Sequence, residues 1–75
     1  MTLKEICEEG IRRLSEAEVD SPEVDAFYLL EFLTGVSRKD YLLDKDREVR
    51  EEVTAGYWNL IARRADHEPC QYITG

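Results

Sequence analysis

Apolar residues recur at helical spacing near the start of the chain. They lie three or four positions apart, which places them on one side of a helix: Leu3, Ile6, Cys7, Gly10, Ile11 and Leu14. Thr2 and Glu5 have the spacing of a capping box, in which each side chain binds a free backbone amide of the first turn. The pattern predicts a first helix that begins after Thr2 and fades near Ala17.

A second helix is predicted between Asp20 and Gly35. Asp20 or Ser21 can cap it. Pro22 is at the first helical position, where the amide that proline lacks would have no partner within the helix. Gly35 favours the left-handed conformation that ends helices. The apolar residues in between cover more than one side of this helix: Val24, Ala26, Phe27, Leu29, Leu30 and Leu33. Such a helix packs against two neighbours, so we expect it at the centre of the core.

Two further helices follow from the same signals. Ser37 and Asp40 repeat the capping-box spacing before a short apolar stretch, which predicts a helix of one or two turns. Asp46 is then expected to cap the longest helix, from about Arg47 to Ala65. Its inward side is predicted to carry Val49, Val53, Gly56, Tyr57, Leu60 and Ile61. The chain is therefore predicted to be an all-α bundle of four to five helices.

The composition changes after residue 65. Residues 67–69 break the helix, and residues 71–75 form a β-prone run with no second strand to pair with. We therefore expect an extended C-terminal segment that leads into a missing domain. This divides the chain into a helical domain, residues 1–66, and the start of a connector, residues 67–75.

Composition and charge narrow the class of protein. The 75 residues are 43% hydrophobic and 36% charged, which is typical of one soluble globular domain. No apolar run approaches the roughly 20 residues that cross a bilayer, and no signal peptide opens the chain, so we expect no membrane contact and a cytoplasmic location. The net charge of −7 opposes direct binding to nucleic acid and favours a basic partner.

Residue types that carry out catalysis are present but poorly placed for it. His67 follows a predicted helix end, where an imidazole is typically a partner of the helix dipole. The adjacent carboxylates are predicted to face solvent: Glu8 with Glu9, Asp44 with Asp46, and Glu51 with Glu52. No glycine-rich phosphate loop is present. We expect no catalytic, cofactor-binding or metal-binding residue in this chain.

Cys7 and Cys70 lie near opposite ends of the chain without the close spacing of a zinc or redox motif. Reduced thiols are expected, and a disulfide between them is the alternative.

Two aromatic residues lie off the main apolar stripes of their helices. Tyr28 and Trp58 either form a second packing surface or remain exposed to bind a partner, and burial is the favoured interpretation. One alternative function is a free-standing acidic adaptor that docks a helix through Tyr28, Phe32 or Trp58. A helix-turn-helix nucleic-acid binder is another, which the acidic charge disfavours.

Several short motifs together resemble a known family. They are Asp25-Ala26, Leu29-Leu30, Leu33, Gly35, Ser37-Arg38, Arg63-Arg64, Glu68-Pro69, Gln71-Tyr72-Ile73 and Gly75. The chain is similar, from about Leu3 to its last residue, to the N-terminal domain of HemK-type release-factor glutamine methyltransferases. The ending is the most specific part, and Phe27 departs from the acid that is more usual in the family.

The resemblance implies a longer parent enzyme. Its absent catalytic domain would bind S-adenosylmethionine and methylate the glutamine of the Gly-Gly-Gln motif of peptide chain release factors. The present chain would help to hold that protein substrate and would be inactive alone. Residues at the junction with the absent domain are expected to be Arg63, Arg64, Glu68, Pro69 and Tyr72. For the arginine pair, a favourable interaction with the helix dipole is an equally good explanation.

Overall fold

A computed structural model describes all residues of the chain, Met1 to Gly75. It contains five helices and no named strand, which confirms the predicted all-α bundle. The helices are α1 (Leu3–Glu16), α2 (Pro22–Thr34), α3 (Arg38–Asp44), α4 (Glu51–Ala65) and α5 (Cys70–Ile73). Helices α1, α2 and α4 pack against one another, while α3 packs on α1 and α5 packs on α4.

Helix α1 begins as its sequence predicts. The Thr2 Oγ1 atom accepts a hydrogen bond from the Glu5 amide at 3.2 Å, and the Thr2 amide donates to Glu5 Oε1 at 2.8 Å. This capping box satisfies backbone amides that lack a partner within the helix. The predicted stripe is buried at Leu3, Ile6, Cys7, Gly10 and Leu14, and Ile11 is partly buried.

Helix α2 occupies the predicted central position because it contacts both α1 and α4. Pro22 is in the first turn, and Ser21 takes the capping position without a side-chain hydrogen bond. Gly35 ends the helix with φ of 75°, and its amide donates to the Glu31 carbonyl at 2.7 Å. The prediction for Val24 was wrong, since this side chain is 64% exposed.

The short helix α3 is also confirmed. Ser37 Oγ accepts from the Asp40 amide at 3.2 Å, which is one of the two hydrogen bonds of the predicted capping box. Tyr41 packs edge-on against Phe27, with 5.3 Å between the ring centroids, and is partly buried. Leu42 and Leu43 remain exposed.

The predicted start of α4 was wrong. The helix begins at Glu51 rather than near Arg47, and Arg50 rather than Asp46 occupies the capping position. The segment before it is tied to the N-terminus: the Leu3 amide donates to the Arg47 carbonyl at 3.0 Å, and the Val49 amide donates to the Met1 carbonyl at 2.9 Å. These backbone groups are used between distant parts of the chain, so they are not available to start a helix.

Tyr57 of α4 is the side chain on which the three long helices meet. It is fully buried, and its hydroxyl donates to the Ala26 carbonyl of α2 at 2.8 Å. The ring also lies against Gly10 of α1, where no side chain separates the two helices. Burial raises the pKa of the Tyr57 phenol, because the phenolate would lose its solvation.

The prediction of an extended C-terminal segment was wrong. Residues Cys70–Ile73 form one helical turn, in which the Tyr72 and Ile73 amides donate to the Pro69 carbonyl at 2.9 and 3.2 Å. Ile73 is buried in the same core as α1, α2 and α4. The energy of burying this side chain overrides the strand preference of the local sequence.

Both cysteines are free thiols, as predicted. Cys7 is buried in the core and Cys70 is partly buried. Burial raises the pKa of each thiol and disfavours the reactive thiolate.

Candidate docking and junction surfaces

Three of the predicted junction residues come together where α4 ends. Arg63 donates from Nε and Nη2 to the two carboxylate oxygens of Glu68, at 2.6 and 2.8 Å. The hydrogen bond from Arg63 lowers the pKa of Glu68, because it stabilises the charged carboxylate. The pair lies at the surface with both side chains partly exposed, so its contribution to stability is small.

Arg64 links this corner to α2. Its Nε donates to Asp25 Oδ2 at 2.9 Å, and its Nη1 donates to the Glu68 carbonyl at 3.1 Å. Both side chains of the Arg64 and Asp25 pair are mostly covered. Arg64 therefore has a clear structural role, because it fixes the end of α4 to the first turn of α2 and holds the backbone that leads into α5.

The turn between α4 and α5 has a defined geometry. His67 adopts a left-handed conformation with φ of 66°, its amide donates to the Arg64 carbonyl, and the Glu68 amide donates to the Arg63 carbonyl. This is the Schellman pattern of a helix end, so His67 has the structural position expected for it. Pro69 then precedes α5, and Tyr72 is 68% exposed.

The structure separates the two aromatic residues proposed as partner anchors. Trp58 is partly buried: it packs on Tyr57 with 5.5 Å between the ring centroids, and the Arg13 guanidinium lies 4.2 Å above its ring. The predicted burial of Trp58 is therefore confirmed. A cation–π contact with Arg13 joins this side chain to α1.

Tyr28 does not follow the favoured interpretation. The prediction of burial was wrong here, because the side chain is 47% exposed. Its hydroxyl lies 3.2 Å from Thr74 Oγ1, just beyond α5. Tyr28 is thus next to the C-terminal turn, and Trp58 belongs to the contact between α1 and α4.

The surface of the domain is concave in three places. The groove of about 430 Å³ between α1, the end of α2 and the start of α4 is lined by Leu3, Leu33, Thr34, Val53 and the 47–50 segment. No group of three or more His, Cys, Asp or Glu side chains is placed to hold a metal ion. No helix is both long enough and apolar enough to span a membrane.

Comparison with known proteins gives consistent matches. The family model described as the PrmC N-terminal domain matches residues 5–75. The chain belongs to the PrmC N-terminal domain family. No solved structure matches.

Several relatives of this PrmC N-terminal domain are named release factor glutamine methyltransferases. The one from Deinococcus radiodurans is 40% identical over all 75 residues, which are 27% of its own length. The one from Koribacter versatilis is 37% identical over all of this chain, which corresponds to 27% of its own length. The one from Streptomyces coelicolor is 39% identical over 89% of this chain, which corresponds to 22% of its own length. The chain thus spans about a quarter of the length of these relatives.

One surface of the PrmC N-terminal domain was predicted only in part from the sequence, which offered Tyr28 and Phe32 as possible anchors but counted Val24 among the packed residues. Val24, Tyr28 and Phe32 are all exposed and follow one another at steps of four along α2. The spacing itself was visible in the sequence. Which of the several apolar sides of α2 faces solvent depends on where α1 and α4 pack, and no local pattern contains that information.

Proposed function

We propose that this domain docks peptide chain release factors for a methyltransferase domain that follows it in the full-length protein. The observation that carries the proposal is the match of the entire chain to proteins named release factor glutamine methyltransferases. The full-length enzyme would transfer a methyl group from S-adenosylmethionine to the glutamine of the Gly-Gly-Gln motif. Residues 1–66 would form the recognition domain, and the segment from residue 67 would lead toward the catalytic domain.

The charge of the domain supports a docking role. Acidic side chains number 17 against 10 lysines and arginines. Ion pairs occupy only six of the acidic side chains: Glu9, Glu16, Asp25, Glu48, Glu52 and Glu68. Most of the negative charge is left for solvent or for a partner. Such a surface accelerates encounter with a basic protein. The family resemblance implies that a release factor, which binds ribosomal RNA, is such a protein.

The junction residues have a supporting role in this proposal. Arg63, Arg64 and Glu68 hold the end of α4 and the turn into α5 in one geometry. A fixed turn would orient the catalytic domain relative to a release factor bound on the helices. Correct orientation of two bound groups is a large part of catalysis by proximity.

The test compares the full-length enzyme with a variant that lacks this domain. Two substrates are methylated in parallel: an intact release factor and a short peptide that contains Gly-Gly-Gln. Removing a docking domain should greatly lower kcat/KM for the intact factor and change kcat/KM for the peptide little, because the peptide lacks the docking surface. Calorimetric binding of S-adenosylmethionine to the shortened enzyme checks that its catalytic domain is folded.

Ionic strength provides a second arm of the same test. The kcat/KM of the full-length enzyme for the intact factor should fall as salt rises, since salt screens exposed charges. The shortened enzyme should respond less. Equal turnover of the intact factor by both enzymes would refute the docking role.

A further inference from the structure

The proposed docking role assigns no function to the exposed apolar face of α2. We call Val24, Tyr28 and Phe32 the α2 stripe; they are 64%, 47% and 50% exposed. Residues four apart lie on the same side of a helix, so the stripe runs about 12 Å along α2. Contiguous exposed apolar surface of this kind typically marks an interaction site.

Helix α2 has no long basic side chain that could cover the stripe. The helix contains no lysine or arginine, and its charged residues are Glu23, Asp25 and Glu31. On α1, by contrast, the long side chain of Arg13 covers Trp58 of α4. Long basic side chains commonly cover apolar surface in this way. The α2 stripe lacks this cover.

The C-terminal turn brings the polypeptide to this surface. Burial of Ile73 fixes α5 to the core, and Thr74 then reaches the Tyr28 hydroxyl. Exposed Tyr72 lies in the same turn. In the relatives, about three quarters of the polypeptide lies outside the part that matches this chain. Because the family model describes an N-terminal domain, that polypeptide would start from residue 75, beside the α2 stripe.

We propose that the α2 stripe, with Tyr72, is the surface on which the following part of the same polypeptide packs. The inference rests on the proposed function only in assuming that the chain is the front domain of a longer enzyme. A tethered segment has a high effective concentration, so even a small apolar patch is enough to hold it. The exposed part of three such side chains is on the order of 300 Å², well below the roughly 800 Å² per partner of a stable dimer.

Hydroxyl-radical footprinting of the full-length protein tests this assignment. The oxidation rates of Tyr28, Phe32 and Leu43 are measured in the folded protein, each relative to its own rate in the unfolded protein. Leu43 is the matched control, because it is 75% exposed and lies on α3. Tyr28 and Phe32 should be oxidised several-fold more slowly than the control, at all protein concentrations and without any partner.

Other occupants give different results, and each overturns the proposal. Protection of Tyr28 and Phe32 only after addition of a release factor would make the stripe part of the substrate site. Protection that rises with protein concentration would indicate a second copy of the chain. Full reactivity under all conditions would show that nothing covers the stripe.

A pair of substitutions provides an independent readout in the full-length protein. Phe32→Ser should speed proteolytic cleavage just after residue 75 several-fold, because the covering segment would detach from α2, while Leu43→Ser should not. Equal cleavage of the two variants would contradict the proposal. Neither measurement uses methylation, so a failure here is distinct from a failure of the docking role.

Discussion

The Tyr57 side chain of α4 lies directly against Gly10 of α1. A methyl group at position 10 would lie 2.5 Å from the Tyr57 hydroxyl oxygen and 3.0 Å from its ring. The tyrosine cannot easily move away, since it is fully buried and bonded to the Ala26 carbonyl. Gly10 is therefore a packing residue, and the closeness of α1 to α4 depends on its missing side chain.

The two glycines within helices should respond to alanine in opposite directions. Gly10→Ala is expected to lower the free energy of unfolding by about 1–3 kcal/mol, through overpacking and strain on the Tyr57 hydrogen bond. Gly56→Ala should raise it by up to about 1 kcal/mol, because alanine favours the helix and its methyl group meets Leu33 at an ordinary 3.6 Å. Urea unfolding of both variants measures the difference. A stabilised Gly10→Ala variant would contradict the described packing.

At the scale of single elements, the sequence predicts a helix boundary best where the contacts that fix the boundary lie within a few residues of it. The Thr2 and Glu5 capping box, Pro22 at the start of α2 and Gly35 at its end all act within a few residues. Each was predicted correctly as a boundary. The physical reason is that the groups that satisfy the helix ends are contained in the same short segment.

The errors occur where distant contacts decide the conformation. The 45–49 segment looks like the start of α4, yet its backbone bonds to residues 1–4 across the fold. The segment with Tyr72 looks like a strand, yet burial of Ile73 draws it into a helical turn. Of the proposed site residues, Arg63 and Glu68 pair within one short segment, five positions apart, whereas the contact of Arg64 with Asp25 spans 39 positions.

The outer face of α1 carries an ion network whose effect should depend on pH. Glu9 accepts from Arg12 at Nε and Nη2 and from Arg13 at Nε, and Arg12 also bonds to Glu16. These hydrogen bonds lower the pKa of Glu9 to about 2, from 4.5. A carboxylate with a depressed pKa in the folded state stabilises the fold above pH 4.5, and this contribution is lost as the pH falls toward 2.

The Glu9→Gln variant should therefore have a lower unfolding temperature than the unmodified chain at neutral pH. The difference between the two unfolding temperatures should shrink as the pH falls from 4.5 to 2. Thermal unfolding at several pH values measures this. Glu8→Gln is the control, because Glu8 neighbours Glu9 but has no ion pair. A difference for Glu9→Gln that stays constant with pH would exclude the network as its cause.

At the scale of the whole molecule, α5 is a structural part of the bundle. The expected division after residue 66 would leave it outside, yet Ile73 is only 6% exposed and belongs to the common core. Small domains have little apolar surface to bury, so one such residue is a considerable fraction of the core. The helical turn at residues 70–73 thus packs on the bundle, although it lies in the proposed connector.

Ile73→Ala should lower the free energy of unfolding by about 2 kcal/mol or more, through lost burial and the cavity that remains. Leu43→Ala, at an exposed site, should change it by less than about 0.5 kcal/mol. Urea unfolding compares the two variants. Equal stability of both would mean that α5 does not dock on the bundle in solution.

The contact of Arg13 with Trp58 gives the molecule an internal optical reporter. Trp58 is the only tryptophan in the chain, and its indole lies between α1 and the Tyr57 ring. When α1 and α4 separate, water replaces the guanidinium over the indole, and the emission of the protein should move to longer wavelength. Intrinsic fluorescence therefore follows the opening of one defined helix pair without any added dye.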